Sequence, residues 1–219
     1  MKWPDDYLGK IFNCDCMEIM KQLPDKCVDL CLCDPPYGIN KDGQKETTGG
    51  HGGRKAYEFM GWDSQRPGKE VFDQILRIGK NAIIWGGNYF ADYLPAKMKW
   101  MVWDKGQRIN QSDGELAWTS YDKALRIFTL NRVALMTDGA QHPTQKPEAL
   151  MRWCIDEAMG TGNGEQRIIF DPFMGSGTTA KMAIKNNRNW IGSEISEEYC
   201  SIIEQRIQNA EPLLFSYCQ

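Results

Sequence analysis

The sequence predicts an α/β protein built on a doubly wound, mostly parallel sheet. Three observations carry that expectation. Short, nearly unbroken apolar runs of strand length recur, among them Cys27–Cys33 and Asn81–Trp85. Such runs mark strands covered on both faces, as in parallel sheets. Segments of helical period separate them, and strands alternating with helices build a parallel sheet. The chain has 219 residues, 42% apolar and 25% charged, enough for one well-filled core.

The elements follow in chain order. Gly9–Cys14 is a short β-prone run. Asp15–Leu23 reads as a helix, with Met17, Ile19, Met20 and Leu23 on its apolar face. The strand Cys27–Cys33 stops at Asp34-Pro35-Pro36-Tyr37. Residues 38–69 have no period and contain eight glycines, the pattern of a long functional loop. Glu70–Gly79 is an amphipathic helix, and Asn81–Trp85 is a strand before Gly86-Gly87-Asn88-Tyr89. Tyr89–Leu94 reads as a short helix ended by Pro95. Lys99–Trp103 and Ala124–Thr129 are further strands. Lys146–Met159 is a helix with Pro147 near its start. Ile168–Phe170 is a strand, Gly177–Asn186 a helix after a glycine turn, and Trp190–Ser193 a strand ending in Glu194. Ser196 caps the last helix, Ser196–Asn209.

Composition narrows the function classes. The net charge is −3, so positive charge does not coat the whole surface. Residues 97–132 nevertheless carry seven basic against four acidic side chains, and a polyanion should meet this part first. No run approaches the roughly 18 apolar residues of a membrane span. The opening MKWPDDYLGK lacks the apolar core of a secretory signal, so a cytoplasmic protein that does not engage membranes is expected. Five of eight cysteines fall in the first 33 residues. Their spacings do not match a zinc knuckle, and Cys31 and Cys33 sit in an apolar strand, so no metal is expected.

Two strand ends stand out, and ligands of doubly wound sheets bind beyond the carboxyl ends of strands. One is Asp171-Pro172-Phe173-Met174-Gly175-Ser176-Gly177-Thr178-Thr179. Its glycines allow close approach to the backbone, and the following helix offers free N–H groups. It lacks the lysine of a P-loop and the third glycine of the full dinucleotide fingerprint. Glu194, at the end of the next strand, is placed to hold a ribose diol. The other end is Asp34-Pro35-Pro36-Tyr37. The prolines remove two donors and leave their carbonyls as acceptors, Asp34 adds a carboxylate, and Tyr37 adds a flat face. Such a site suits a planar group that carries an NH2. His142, before Pro143, is read as a loop residue, and Asn88-Tyr89 either lines the same pocket or caps a turn.

DPPYG after an apolar strand, then HPTQKPEAL, then DPFMGSGTT, resembles the amino-group DNA methyltransferases in their permuted β-type motif order. The resemblance covers about 10–37, 81–90 and 141–207. It implies a seven-stranded sheet of the S-adenosylmethionine (SAM)-dependent methyltransferase type, the last strand antiparallel. It implies one catalytic domain over 1–219 with 105–140 as a small inserted target-recognition region, and the glycines of 38–69, directly after the catalytic turn, add the expectation of a mobile substrate loop. The activity implied is methyl transfer from SAM to adenine N6 in double-stranded DNA, after the base leaves the helix. Asp34, Pro35, Pro36 and Tyr37 would be catalytic. Asp15, Asp34, Thr144, Lys146, Asp171, Phe173, Gly175, Ser176, Gly177, Thr178 and Glu194 would hold SAM. Lys41, Lys45, Arg54, Lys55, Lys105 and Arg108 would contact DNA. Cytosine N4 is the alternative target, and Asp at position 34 leans towards adenine. Methylation of RNA or a protein amide, or a silent DNA-binding subunit, fits the intact motifs less well. A homodimer and a cognate restriction enzyme remain open as partners.

Overall fold

The computed structural model describes residues 1–41, 43, 61–107, 112–131, 145–161, 167–208 and 210–212. Among these residues one sheet holds eight strands: β1 (Lys10–Asn13), β2 (Leu30–Cys33), β3 (Ala82–Trp85), β4 (Trp100–Asp104), β5 (Gly114–Thr119), β6 (Arg126–Thr129), β7 (Ile168–Asp171) and β8 (Asn189–Glu194). Five helices accompany them: α1 (Cys16–Met20), α2 (Lys69–Ile78), α3 (Glu148–Met159), α4 (Thr178–Lys185) and α5 (Glu197–Gln208). The strand order is β1-β8-β7-β2-β3-β5-β4-β6, and only β5 runs antiparallel to its neighbours.

The apolar runs explain the layering. β2 and β3 are buried at every position, so alternate side chains feed two cores. Cys31, Cys33, Ala82 and Ile84 join α1 and α2 on one face. Leu30, Leu32, Ile83 and Trp85 join α3 and α4 on the other. The edge strands β1 and β6 hold no fully buried residue. Helices on both faces make the sheet doubly wound, as the sequence predicts.

Caps fall where polar side chains allow them. Asp15 caps α1 by accepting from the Met17 N–H at 2.7 Å. The Ser196 hydroxyl accepts from the Tyr199 N–H at the start of α5, 3.3 Å away. Burial drives the thiol of Cys16 up to about 12 and raises those of Cys31 and Cys33. These cysteines pack as small apolar residues.

The structure departs from the sequence expectation in several places. The sheet has eight strands and not seven, because Gly114–Thr119 is a strand that residue pattern does not mark. GELAWT is rich in helix-favouring residues, and its extended form comes from pairing with β3 on one side and β4 on the other. β5 and β6 both fall within 105–140, so the described part of that span contributes two strands to the sheet. The helix expected at Tyr89–Leu94 is a 3-10 turn at Gly87–Tyr89, closed by i→i+3 bonds from Tyr89 to Gly86 and from Phe90 to Gly87. α1 is shorter than expected, since i→i+3 bonds replace the helical pattern at Gln22 and Leu23. The mobility expected for 38–69 rests largely on residues outside the described ones.

Candidate active site

β2 and β7 lie side by side and parallel at the centre of the sheet. From β2 the chain crosses to β3 on one side, and from β7 it crosses to β8 on the other. This is the topological switch point, where the carboxyl ends of strands leave a crevice. The two unusual loops of the sequence, 34–37 and 171–177, leave these two strands. They are 134 residues or more apart in sequence, and pairing of β2 with β7 puts them on one cavity of about 440 Å³.

Of the residues expected to hold SAM, Asp15, Asp34, Lys146, Asp171, Phe173, Gly175, Ser176, Thr178 and Glu194 line that cavity. Gly177 does not line the cavity and stands at the head of α4 with φ +78°. Thr144 lies outside the described residues. The glycine loop is held from several sides. Asp171 is buried and accepts from the Phe173 N–H at 3.0 Å, and burial pushes its carboxyl up to about 7. Glu194 accepts from the Gly175 N–H at 2.8 Å and the Ser196 N–H at 3.0 Å. Burial raises the Glu194 carboxyl, against these backbone bonds. Each of its oxygens keeps acceptor capacity towards the cavity. Arg206 of α5 donates to the Ser176 carbonyl at 2.5 Å and its hydroxyl at 2.8 Å.

Asp34, Pro36 and Lys146 meet the same cavity from the other loop. Pro35, between Asp34 and Pro36, is buried and does not line the cavity. Asp34 Oδ1 accepts from the Tyr37 hydroxyl at 2.5 Å, and Oδ2 accepts from Lys146 Nζ at 2.5 Å. Burial raises the Asp34 carboxyl, and Lys146 opposes that rise. For Lys146, burial works against the charge, yet Asp34 and Glu115 outweigh it and keep it protonated. Tyr37 stacks on Tyr89, ring centroids 4.6 Å apart and planes 14° from parallel. One face of Tyr37 is therefore covered by Tyr89, two residues past Gly87.

Sequence reasoning missed four contributors. Asp63, buried, accepts from the backbone N–H groups of Gly38 and Lys41 and so fixes the segment after Tyr37. Glu115 of β5 and Arg206 act across long separations, and no local pattern marks them. Gly86, φ +68°, stands against the Tyr37 ring, and a Cβ there would overlap it. Only its Gly-Gly context was a signal. Gly86→Ala should lower the melting temperature by several degrees and displace Tyr37, since a left-handed backbone and a ring clash add. Thermal unfolding and Tyr37 fluorescence check this, and an unchanged midpoint would show that the ring tolerates a methyl.

The residues expected to contact DNA are only partly described. Lys41 is exposed beside Asp63. Lys45, Arg54, Lys55 and Arg108 lie outside the described residues. Lys105 is a correction. Its side chain is 2% exposed and pairs with Glu115 at 2.6 Å, so it is a buried partner within the site and not a surface contact for phosphate. No helix among the described residues is long and apolar enough to cross a membrane.

Comparison with known proteins agrees with this geometry. A family model described as DNA methylase matches residues 100–205. The orphan methyltransferase M.BamHII of Bacillus amyloliquefaciens is 51% identical over 81 residues, 37% of this chain and 27% of that protein. The type II methyltransferase M.HinfI of Haemophilus influenzae is 26% identical over 258 aligned positions, covering 95% of this chain and 70% of that protein. The match thus spans about a quarter of one relative and over two thirds of the other. The crystal structure of the M1.HpyAVI–SAM complex superposes with a TM-score of 0.55 at 22% identity, over 90% of this chain and 98% of that one. That likeness establishes the shared fold.

Proposed function

We propose that this chain, whose residues 100–205 match a family model described as DNA methylase, methylates the N6 amine of adenine in double-stranded DNA with SAM as donor. One observation carries the reading. The acceptor-rich loop after β2 and the glycine loop after β7 open into one cavity.

The residues fit SAM. A cavity of about 440 Å³ suits a nucleoside with an amino-acid tail. Gly175, with φ +52°, lines the cavity and leaves its backbone open to a ligand, while Gly177, with φ +78°, turns the chain into α4 against Ile203. Glu194 would hold the ribose hydroxyls, and Asp15 would meet the adenine. Phe173 would pack on the nucleoside, and Thr144 and Lys146 would border the amino-acid tail. Bound there, SAM supplies an electrophilic methyl group.

The chain's own part is placement. An exocyclic amine is a poor nucleophile because its lone pair is delocalised into the ring. The Asp34 carboxylate and the Pro35 carbonyl accept the two N–H bonds and favour a pyramidal nitrogen, whose lone pair then faces the methyl. This is positioning with electrostatic stabilisation, and no cysteine nucleophile is required. Asp34 favours adenine over cytosine within the family. M.BamHII is named an orphan methyltransferase, which supports a reading without a cognate restriction enzyme.

The test is to incubate the purified chain with labelled SAM and DNA and digest the DNA to nucleosides. N6-methyladenine is the expected product. N4-methylcytosine would move the reading to the other amine, and no label in DNA would refute it. The basic residues Lys41, Lys45, Arg54, Lys55 and Arg108 are proposed to meet phosphates, supported by the excess of basic over acidic residues in 41–69 and 97–132. Replacing Arg54 and Lys55 by Ala should flatten the dependence of log Kd on log salt by about one to two units while SAM affinity holds. An unaltered slope would remove these two from the interface.

A further inference from the structure

A line of four charges, two buried lysines and two part-buried carboxylates, runs into the cavity. Lys105 Nζ lies 2.6 Å from Glu115 Oε1, and Glu115 Oε2 lies 3.0 Å from Lys146 Nζ. Lys146 Nζ lies 2.5 Å from Asp34 Oδ2, and Asp34 Oδ1 takes the Tyr37 hydroxyl. The lysine side chains are 2% and 7% exposed, and the carboxylates 24% and 20%. The signs alternate and sum to zero. The four residues come from the end of β4, from β5, from the start of α3 and from the end of β2.

Resting on the methyltransferase reading, we propose that Glu115 is a positioning residue that shares Lys146 with Asp34 and thereby lets Asp34 take up the proton of the methylated amine. Once the nitrogen carries its new methyl group it also carries a positive charge. One N–H bond must break. Its electron pair stays on nitrogen, and the proton forms an O–H bond on Asp34. If Lys146 had Asp34 as its sole partner, protonation would strand a buried ammonium, which is strongly unfavourable. Glu115 keeps Lys146 compensated through that step. Lys105 in turn keeps Glu115 compensated.

The electrostatics agree with the geometry. The charge of Glu115 raises the Asp34 carboxyl, while the two lysines, outweighing burial, hold Glu115 down at about 2. Glu115 therefore stays ionised through the step. The other titratable groups around the line are Tyr37 beside Asp34, Asp171 on β7, Cys33 at the end of β2 and Cys154 on α3. Burial keeps Cys33, Cys154 and Tyr37 neutral.

Two substitutions distinguish this role from a structural one. Glu115→Gln removes a negative charge, so the Asp34 carboxyl should titrate lower, and the acid limb of the kcat–pH profile should move down with it. Lys105→Gln removes a positive charge, so both should move up. Turnover of Glu115→Gln should fall about tenfold or more with SAM affinity within about threefold, since the carboxylate acts on the proton step. Glu115→Asp should restore the native limb. The Asp34 carboxyl is followed by carbon NMR in the full chain, with and without SAM, so this readout does not need turnover. An unshifted Asp34 titration in folded Glu115→Gln, or shifts of the same sign in both variants, would overturn the proposal. Absence of methyl transfer by the native chain would instead defeat the functional reading, and the Asp34 titration would still decide the role of Glu115.

Discussion

Asp34→Ala should reduce methyl transfer by about three orders of magnitude or more, because it removes the acceptor proposed to position the amine and stabilise its developing charge. SAM affinity should stay close to native. The residues proposed to hold the cofactor come mostly from other elements: Gly175 and Ser176 after β7, Glu194 on β8 and Asp15 before α1. The truncation should not collapse the pocket, since Lys146 keeps Glu115 as its partner at 3.0 Å. Labelled transfer to DNA and calorimetric titration of SAM separate the two effects. Turnover within about tenfold of the native value would remove Asp34 from the reaction, since an electrostatic role of this kind is worth more.

Gly175→Val should cut SAM affinity by about a hundredfold, with the protein still folded. Gly175 has φ +52°, and a β-branched residue there costs of order 1–3 kcal/mol in backbone strain alone. Its branched side chain would also enter the cavity that Gly175 lines. Relief by backbone movement would pull the Gly175 N–H from Glu194, now 2.8 Å away, and release the carboxylate proposed to hold the ribose. DNA binding should be retained, because the basic residues proposed to meet phosphates belong to other segments of the sequence, 41–69 and 97–132. Calorimetry with SAM and a melting curve for the variant check this. Unchanged affinity would show that the loop is only a turn.

Much of the site can be read from local sequence because its loops follow strands that announce themselves. The unbroken apolar runs before Asp34 and Asp171 mark buried parallel strands. Proline and glycine directly after them leave few alternatives to a stiff acceptor loop and an open backbone loop. Asp15 and Ser196 are legible for the same reason, as polar caps before apolar-faced helices. β5 is not legible. Its residues favour no strand, and the neighbours that make it one, β3 and β4, belong to other parts of the chain. With β5 unseen, Glu115 could not be placed, and Lys105 read as an exposed basic residue.

The sequence by itself determined the class of fold, the order of its motifs and the two chemistries that end β2 and β7, since each depends on short-range preferences and on periodicity. Only the tertiary structure decided that the two loops share one cavity, because that depends on pairing of strands far apart in the chain. The tertiary structure likewise decided that Gly86 seats Tyr37, that Asp63 fixes the segment after it, and that Lys105, Glu115, Lys146 and Asp34 form one line of charge with little exposure to water. Burial is the physical reason. A charged side chain is ordinary at the surface, and it acquires a specific role only where folding removes water and supplies a partner in its place.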